Sequence, residues 1–215
     1  SWSLRPWILM RELEIDFVEE LHPFDDGGSW KKFRSFSPTG KVPCLVDNSD
    51  VVWDSLAIIE YLAERHDGIW PTESSARAWA RSASAEMHSG FSALRNECSM
   101  RCGIKINLHK KSDALDHDIS RIDELWAEGF DRFNGPFLAG DAFGAVDAFF
   151  APITIRILSY DLAVCERSMK YVERIYSLAS MQEWVEAGIN EPWTEPSHEN
   201  EILASGKVIE DQRRK

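Results

Sequence analysis

The chain has 215 residues, 44% of them apolar and 28% charged. This is the make-up of a soluble globular protein with one large or two small domains, and it excludes a disordered or collagen-like chain. The formal charge of −12, from 24 basic and 36 acidic side chains, argues against a surface built to neutralise nucleic-acid phosphates. No apolar run approaches the ~18 residues of a membrane helix, and no signal peptide opens the sequence. Four cysteines are too few for a disulfide scaffold. They read as free thiols in a reducing compartment, so a cytoplasmic protein is expected.

Residues 5–13 read as a short helix with Pro6 in its first turn, where the missing N–H costs nothing. Asp16 to Leu21 alternates as a strand does. Gly27-Gly28 opens a loop, Trp30 to Phe36 reads as helical, and Ser37-Pro38-Thr39-Gly40 is a turn cluster. Val42 to Val46 and Val51 to Trp53, joined by Asn48-Ser49-Asp50, predict a hairpin. Leu56, Ile59, Leu62 and Ala63 share one face of a helix that begins at Asp54-Ser55.

Beyond Trp70-Pro71-Thr72 the pattern is purely helical. Long helices are predicted from Ser75 to Arg101 and from Ala114 to Phe133, the second broken by Gly135-Pro136. Asp147 to Ser159 reads as a buried helix, with weaker ones near 166–178 and 180–188. The tail after Pro192 has no periodicity and is expected to wrap the surface. Lys31, Lys32, Arg34 and Lys41 lie close together in an otherwise acidic first module, as a basic rim for a small anion or simply a solvated face.

Two motifs carry chemistry. In Ser37-Pro38-Thr39-Gly40-Lys41-Val42-Pro43-Cys44-Leu45, a proline just before a strand fits either a cis bond or a trans proline on an edge strand. The cis form leaves the Val42 backbone free to pair with an extended peptide. In Asp54-Ser55-Leu56-Ala57-Ile58-Ile59-Glu60-Tyr61-Leu62, the helix N-terminus and Ser55 suit a carboxylate and Asp54 suits an ammonium; plain N-capping is the simpler reading.

Together, at this spacing, the motifs resemble the glutathione S-transferase superfamily. The opening Ser1-Trp2-Ser3-Leu4-Arg5 is similar to the Ser-Ser-Cys-x-x-Arg stretch of its zeta class, the maleylacetoacetate isomerase-like group, with Trp2 in the place of the Cys. Leu138-Ala139-Gly140-Asp141 followed by Val146-Asp147 resembles the start of the family's buried helix, with Asp147 as its capping carboxylate and Gly144 at the capping position. The resemblance implies an α/β thioredoxin-like N-terminal domain over residues 1–70, then an all-α C-terminal domain over residues 75–215. It also implies that an opening strand and the first of the paired serines precede Ser1.

As that resemblance has it, the protein is a glutathione transferase or isomerase, and glutathione is its co-substrate. A free thiol has a pKa of about 8.5 and is mostly protonated at neutral pH. Ser1 first, then Ser3, would donate to the thiolate, and Arg5 would add positive potential. Val42 and Pro43 would hold the cysteinyl unit, Lys41 the glycyl carboxylate, and Asp54 with Ser55 the γ-glutamyl end. The electrophile would lie against Met87, His88, Phe91 and Arg95, which share a helical face, though plain core packing is the simpler reading of such a stripe, and against Arg156. In an apolar stretch Arg156 needs a partner, either a buried acid or a substrate carboxylate. A homodimer is implied, with no metal, nucleic acid or membrane partner. Cys98 and Cys102 with His88 or His109 lack zinc-type spacing. The competing functions are a glutathione-dependent peroxidase or reductase, for which no Cys stands at the catalytic loop, and a non-catalytic binding protein. The intact ligand set favours ligand binding over the second.

Overall fold

The computed structural model describes residues 1–24, 28–194 and 196–213. Gly27 of the expected loop, and Arg214 and Lys215 at the end of the tail, lie outside them. The first part of the chain holds α1 (Leu4–Glu12), α2 (Trp30–Phe33), a hairpin of β1 (Leu45–Asp47) and β2 (Asp50–Val52), and α3 (Ser55–Ala63). Then come α4 (Ser74–Ser89), α5 (Ser92–Glu97), β3 (Ile104–Leu108), α6 (Asp113–Phe133), α7 (Ala145–Tyr160), α8 (Glu166–Tyr176), α9 (Ala179–Asn190), α10 (Pro196–Ser205) and β4 (Gly206–Asp211).

Helix α7 is the axis of the molecule, and α1, α4, α8 and β3 pack on it. Nearly every one of its side chains is buried, which is why its sequence shows no amphipathic stripe. Its N-terminus is equally buried, so its first amides need internal acceptors. The Ile69 carbonyl accepts from Ala145 N at 2.9 Å, and Asp147 holds the cap: Oδ2 accepts from Gly144 N at 3.1 Å, and Oδ1 from Leu138 N at 3.0 Å and the Tyr171 hydroxyl at 2.9 Å. Helix α6, by contrast, is amphipathic; Ser112 Oγ caps it by accepting from Leu115 N, and Asn134 ends it in the left-handed region.

Gly129 marks the closest approach across this core. A Cβ there would stand 2.5 Å from the Leu138 carbonyl oxygen and 2.5 Å from the Trp79 ring. Gly129→Ala, which helix propensity alone would make stabilising by up to about 1 kcal/mol, should therefore destabilise by about 1–3 kcal/mol through overpacking. A thermal melt decides the sign.

Four expectations are corrected. Asp16 to Leu21 is not a strand: no described segment offers it a hydrogen-bond ladder, and Val18 is 89% exposed. The helix from Ser75 to Arg101 is broken, because α4 stops at Ser89 and Phe91 takes a left-handed φ of 58° before α5 begins. The Asp118 carboxylate then caps α5 by accepting from Leu94 N. The chain past Glu97 turns into β3, whose buried Ile104 and Ile106 face α7. The tail does not merely wrap the surface: α10 leads into β4, which pairs antiparallel with β3 through a register shift at Lys105/Ile106. The second half thus adds one two-stranded sheet to its helices. Among the described residues, no helix is long and apolar enough to cross a membrane.

Candidate functional site

Arg5, in the first turn of α1, is fully enclosed. Its guanidinium lies 4.1 Å from the Trp2 ring centre and 4.9 Å from that of Phe149. Nη1 sits 3.5 Å from Ser55 Oγ and 3.4 Å from His88 Nδ1. Nε and Nη2 are buried with no hydrogen-bond partner among the described residues. Burial, with Arg95 and Arg156 nearby, pushes the group down to about 9, so it stays charged at neutral pH. Arg95 lies 4.7 Å from the same Trp2 ring, and Ser1 is within the field of Arg156, Arg5 and Arg95.

At the head of α3, Asp54 Oδ1 accepts from Leu56 N at 3.0 Å and Oδ2 lies 3.2 Å from His88 Nε2. The Asp54 side chain remains 55% exposed, whereas Ser55 is fully buried. His88 is pushed down from its ordinary pKa by burial, Asp54 opposing and Arg5 and Arg95 adding to the shift. Its ring meets Trp2 and Phe149 edge-on at 5.3 and 6.1 Å.

The Val42–Pro43 bond is cis, and so is Trp53–Asp54. The hairpin register Leu45↔Val52 sets Pro43 and Asp54 just beyond the same end of the ladder. Val42 and Pro43 are half-buried and Lys41 is exposed, its carbonyl accepting from Ser37 Oγ at 2.7 Å. Ser3 stands at the N-cap of α1 without a side-chain capping bond.

Residues 1–65 match the family model described as "Glutathione S-transferase, N-terminal domain". Over these residues the chain is similar to that glutathione-binding domain. A probable maleylacetoacetate isomerase from Caenorhabditis elegans is 32% identical over 98 residues, 45% of each chain. A dichloromethane dehalogenase from Methylophilus leisingeri is 42% identical over 60 residues, 27% of this chain and 22% of that one. These matches thus span half or less of the relatives' own length. A class-mu glutathione S-transferase from Fasciola hepatica aligns over 86% of this chain and 85% of its own at 23% identity. The fold is that of a glutathione transferase homologue from Burkholderia, solved with bound glutathione: TM-score 0.64, 23% identity, 86% of this chain and 90% of that one.

Within this transferase fold, the structure brings Arg5, His88 and Arg95 around Trp2, with Ser55 against Arg5 and Asp54 against His88, and leaves the Val42–Pro43 segment and Asp54 beyond the same end of the hairpin. The pocket stripe is different from its expected form. Phe91 and Arg95 lie past the break in the helix, so they do not continue the face of Met87 and His88. Met87 and Phe91 belong to the core, and Arg95 donates to the Gly90 and Met87 carbonyls. Among the described residues Arg156 has no buried acid as partner: its Nε donates to the Cys98 carbonyl at 2.8 Å and Nη1 to that of Pro152 at 3.1 Å. Of the proposed basic rim, Lys32 reaches the Pro23 carbonyl and Arg34 lies over the Trp30 ring. Sequence reasoning missed Trp2 and Phe149 as the rings that enclose Arg5, and His88 as the partner of Asp54. The only signal for Trp2 was its place in the Ser-Ser-Cys-x-x-Arg pattern, where it stands for the Cys.

Proposed function

We propose that this protein binds glutathione and directs its thiolate at a small electrophile, conjugating or isomerising it. The observation that carries the reading is the half-exposed Asp54 carboxylate at the start of α3, beside the Val42–Pro43 segment and next to the buried guanidinium of Arg5. Asp54 receives the γ-glutamyl ammonium, with Ser55 directly behind it. The Val42 backbone takes the cysteinyl unit and Lys41 the glycyl carboxylate. The thiol then points at the start of α1, where Ser1, Ser3 and the positive potential of Arg5 favour the thiolate. Residues 1–70 form the glutathione domain, and residues 75–215 bring Arg95 and Arg156 to the electrophile.

Calorimetric titration tests this reading directly. Glutathione should release heat with the wild-type chain. Asp54→Asn should weaken binding about tenfold and Ser55→Ala should also weaken it, as loss of a hydrogen bond to a charged group does. No heat at millimolar glutathione refutes the function. The protein is proposed to be a cytoplasmic homodimer that uses no metal; a mass of one chain by light scattering rejects the dimer.

A further inference from the structure

We infer that His88 is a positioning residue for glutathione recognition: from α4 it holds the Asp54 carboxylate in place to receive the γ-glutamyl ammonium, so the second half of the chain sets selectivity for the co-substrate. The inference rests on the proposed glutathione site. Hydrogen-bond bookkeeping carries it. Arginine has donors and no acceptor, so the 3.4 Å contact with Arg5 Nη1 makes His88 Nδ1 the acceptor. In the neutral ring the proton is then on Nε2, where it donates to Asp54 Oδ2 at 3.2 Å. An imidazolium would turn an N–H against the Arg5 donor. Burial disfavours that form as well.

Asp54 is therefore held at both oxygens, by Leu56 N on one side and His88 on the other. A carboxylate offers about four lone-pair sites, so its exposed edge still has room for a ligand ammonium. The ring itself is fixed edge-on by Trp2 and Phe149. Fixing a carboxylate before the ligand arrives lowers the ordering cost of binding. A plain ion pair joining two elements would have no such ligand dependence.

Two variants separate these roles while preserving the packing. His88→Phe keeps a ring between Trp2 and Phe149 and removes both polar contacts. His88→Gln keeps an acceptor for Arg5 and a donor for Asp54. Each is titrated with glutathione and with glutaryl-cysteinylglycine, which lacks only the α-ammonium, and a thermal melt confirms folding. The wild type should bind glutathione more tightly than the analogue. His88→Phe should weaken glutathione about tenfold and leave the analogue within about twofold, while His88→Gln restores most of the difference. Equal weakening of both ligands, or no change in either, overturns the inference while the glutathione reading stands. No glutathione binding by the wild type overturns both.

Discussion

Arg5→Met is expected to raise the melting temperature and to lower kcat/KM at the same time. A fully buried guanidinium costs several kcal/mol of desolvation. Here Nε and Nη2 recover none of it, and Nη1 makes only long contacts, to Ser55 at 3.5 Å and His88 at 3.4 Å. The rings of Trp2 and Phe149 offset part of the cost, by ~0.5–2 kcal/mol each. Methionine keeps the unbranched shape and its sulfur also packs well on aromatic rings. A net gain of about 1 kcal/mol, or about 2–4 °C in a chain of this size, follows. The same substitution removes a buried charge in the first turn of α1, where the proposed glutathione site puts the thiolate. Electrostatic donors aimed at a reacting anion are worth ~10²–10³ in rate. A melt and a glutathione-dependent rate assay check both halves. A melting temperature that drops by more than a few degrees would return Arg5 to the structural groups.

The largest loss of stability is expected from Asp147→Ala. The side chain is fully buried and accepts from two amides and a phenol. Truncation leaves those three donors buried and unpaired, at about 1–3 kcal/mol each before relaxation, so a total of about 3–5 kcal/mol is expected. That corresponds to a fall of about 10 °C or more. Asp147→Asn keeps an oxygen for Leu138 and Tyr171 but turns an amide N–H₂ toward Gly144, so it should lose less. Burial pushes the Asp147 carboxyl up to about 6, its three donors opposing the shift, against an ordinary value of 3.8. The folded state therefore holds this proton more tightly than the unfolded chain. The stability that this site contributes through its proton is full below about 4 and is lost as pH rises through about 6. The gap in melting temperature between the wild type and Asp147→Asn, followed across that range, measures it.

Much of the fold was legible because its signals are local. Asp54-Ser55 marked the start of α3 through capping chemistry, and Val42 to Trp53 marked a hairpin through β-rich runs around a turn. The capping role of Asp147 came from the family resemblance, and the structure has it. The errors arose where one segment depends on another distant in sequence. Asp16 to Leu21 alternates correctly, yet a strand exists only where a partner offers a ladder. The β3–β4 pair joins residues about a hundred apart, and the tail shows no periodicity of its own because β4 takes its order from β3. Helix α4 ends at Gly90 and Phe91, a break that the run of helix formers concealed.

The site divides in the same way. The sequence by itself determined the turn before the hairpin at Pro43 and the capped start of α3 at Asp54, since caps, turns and hydrophobic periods act over a few residues. Only the tertiary structure decided that Trp2 and Phe149 enclose Arg5, that backbone carbonyls rather than an acid hold Arg156, and that His88 reaches across to Asp54. Those contacts join residues 34 to 144 apart along the chain, Arg5–Trp2 and Arg156–Pro152 excepted. No local spacing encodes them. They exist because α1, α3, α4 and α7 are packed together, and packing is a property of faces that meet only once the core has formed.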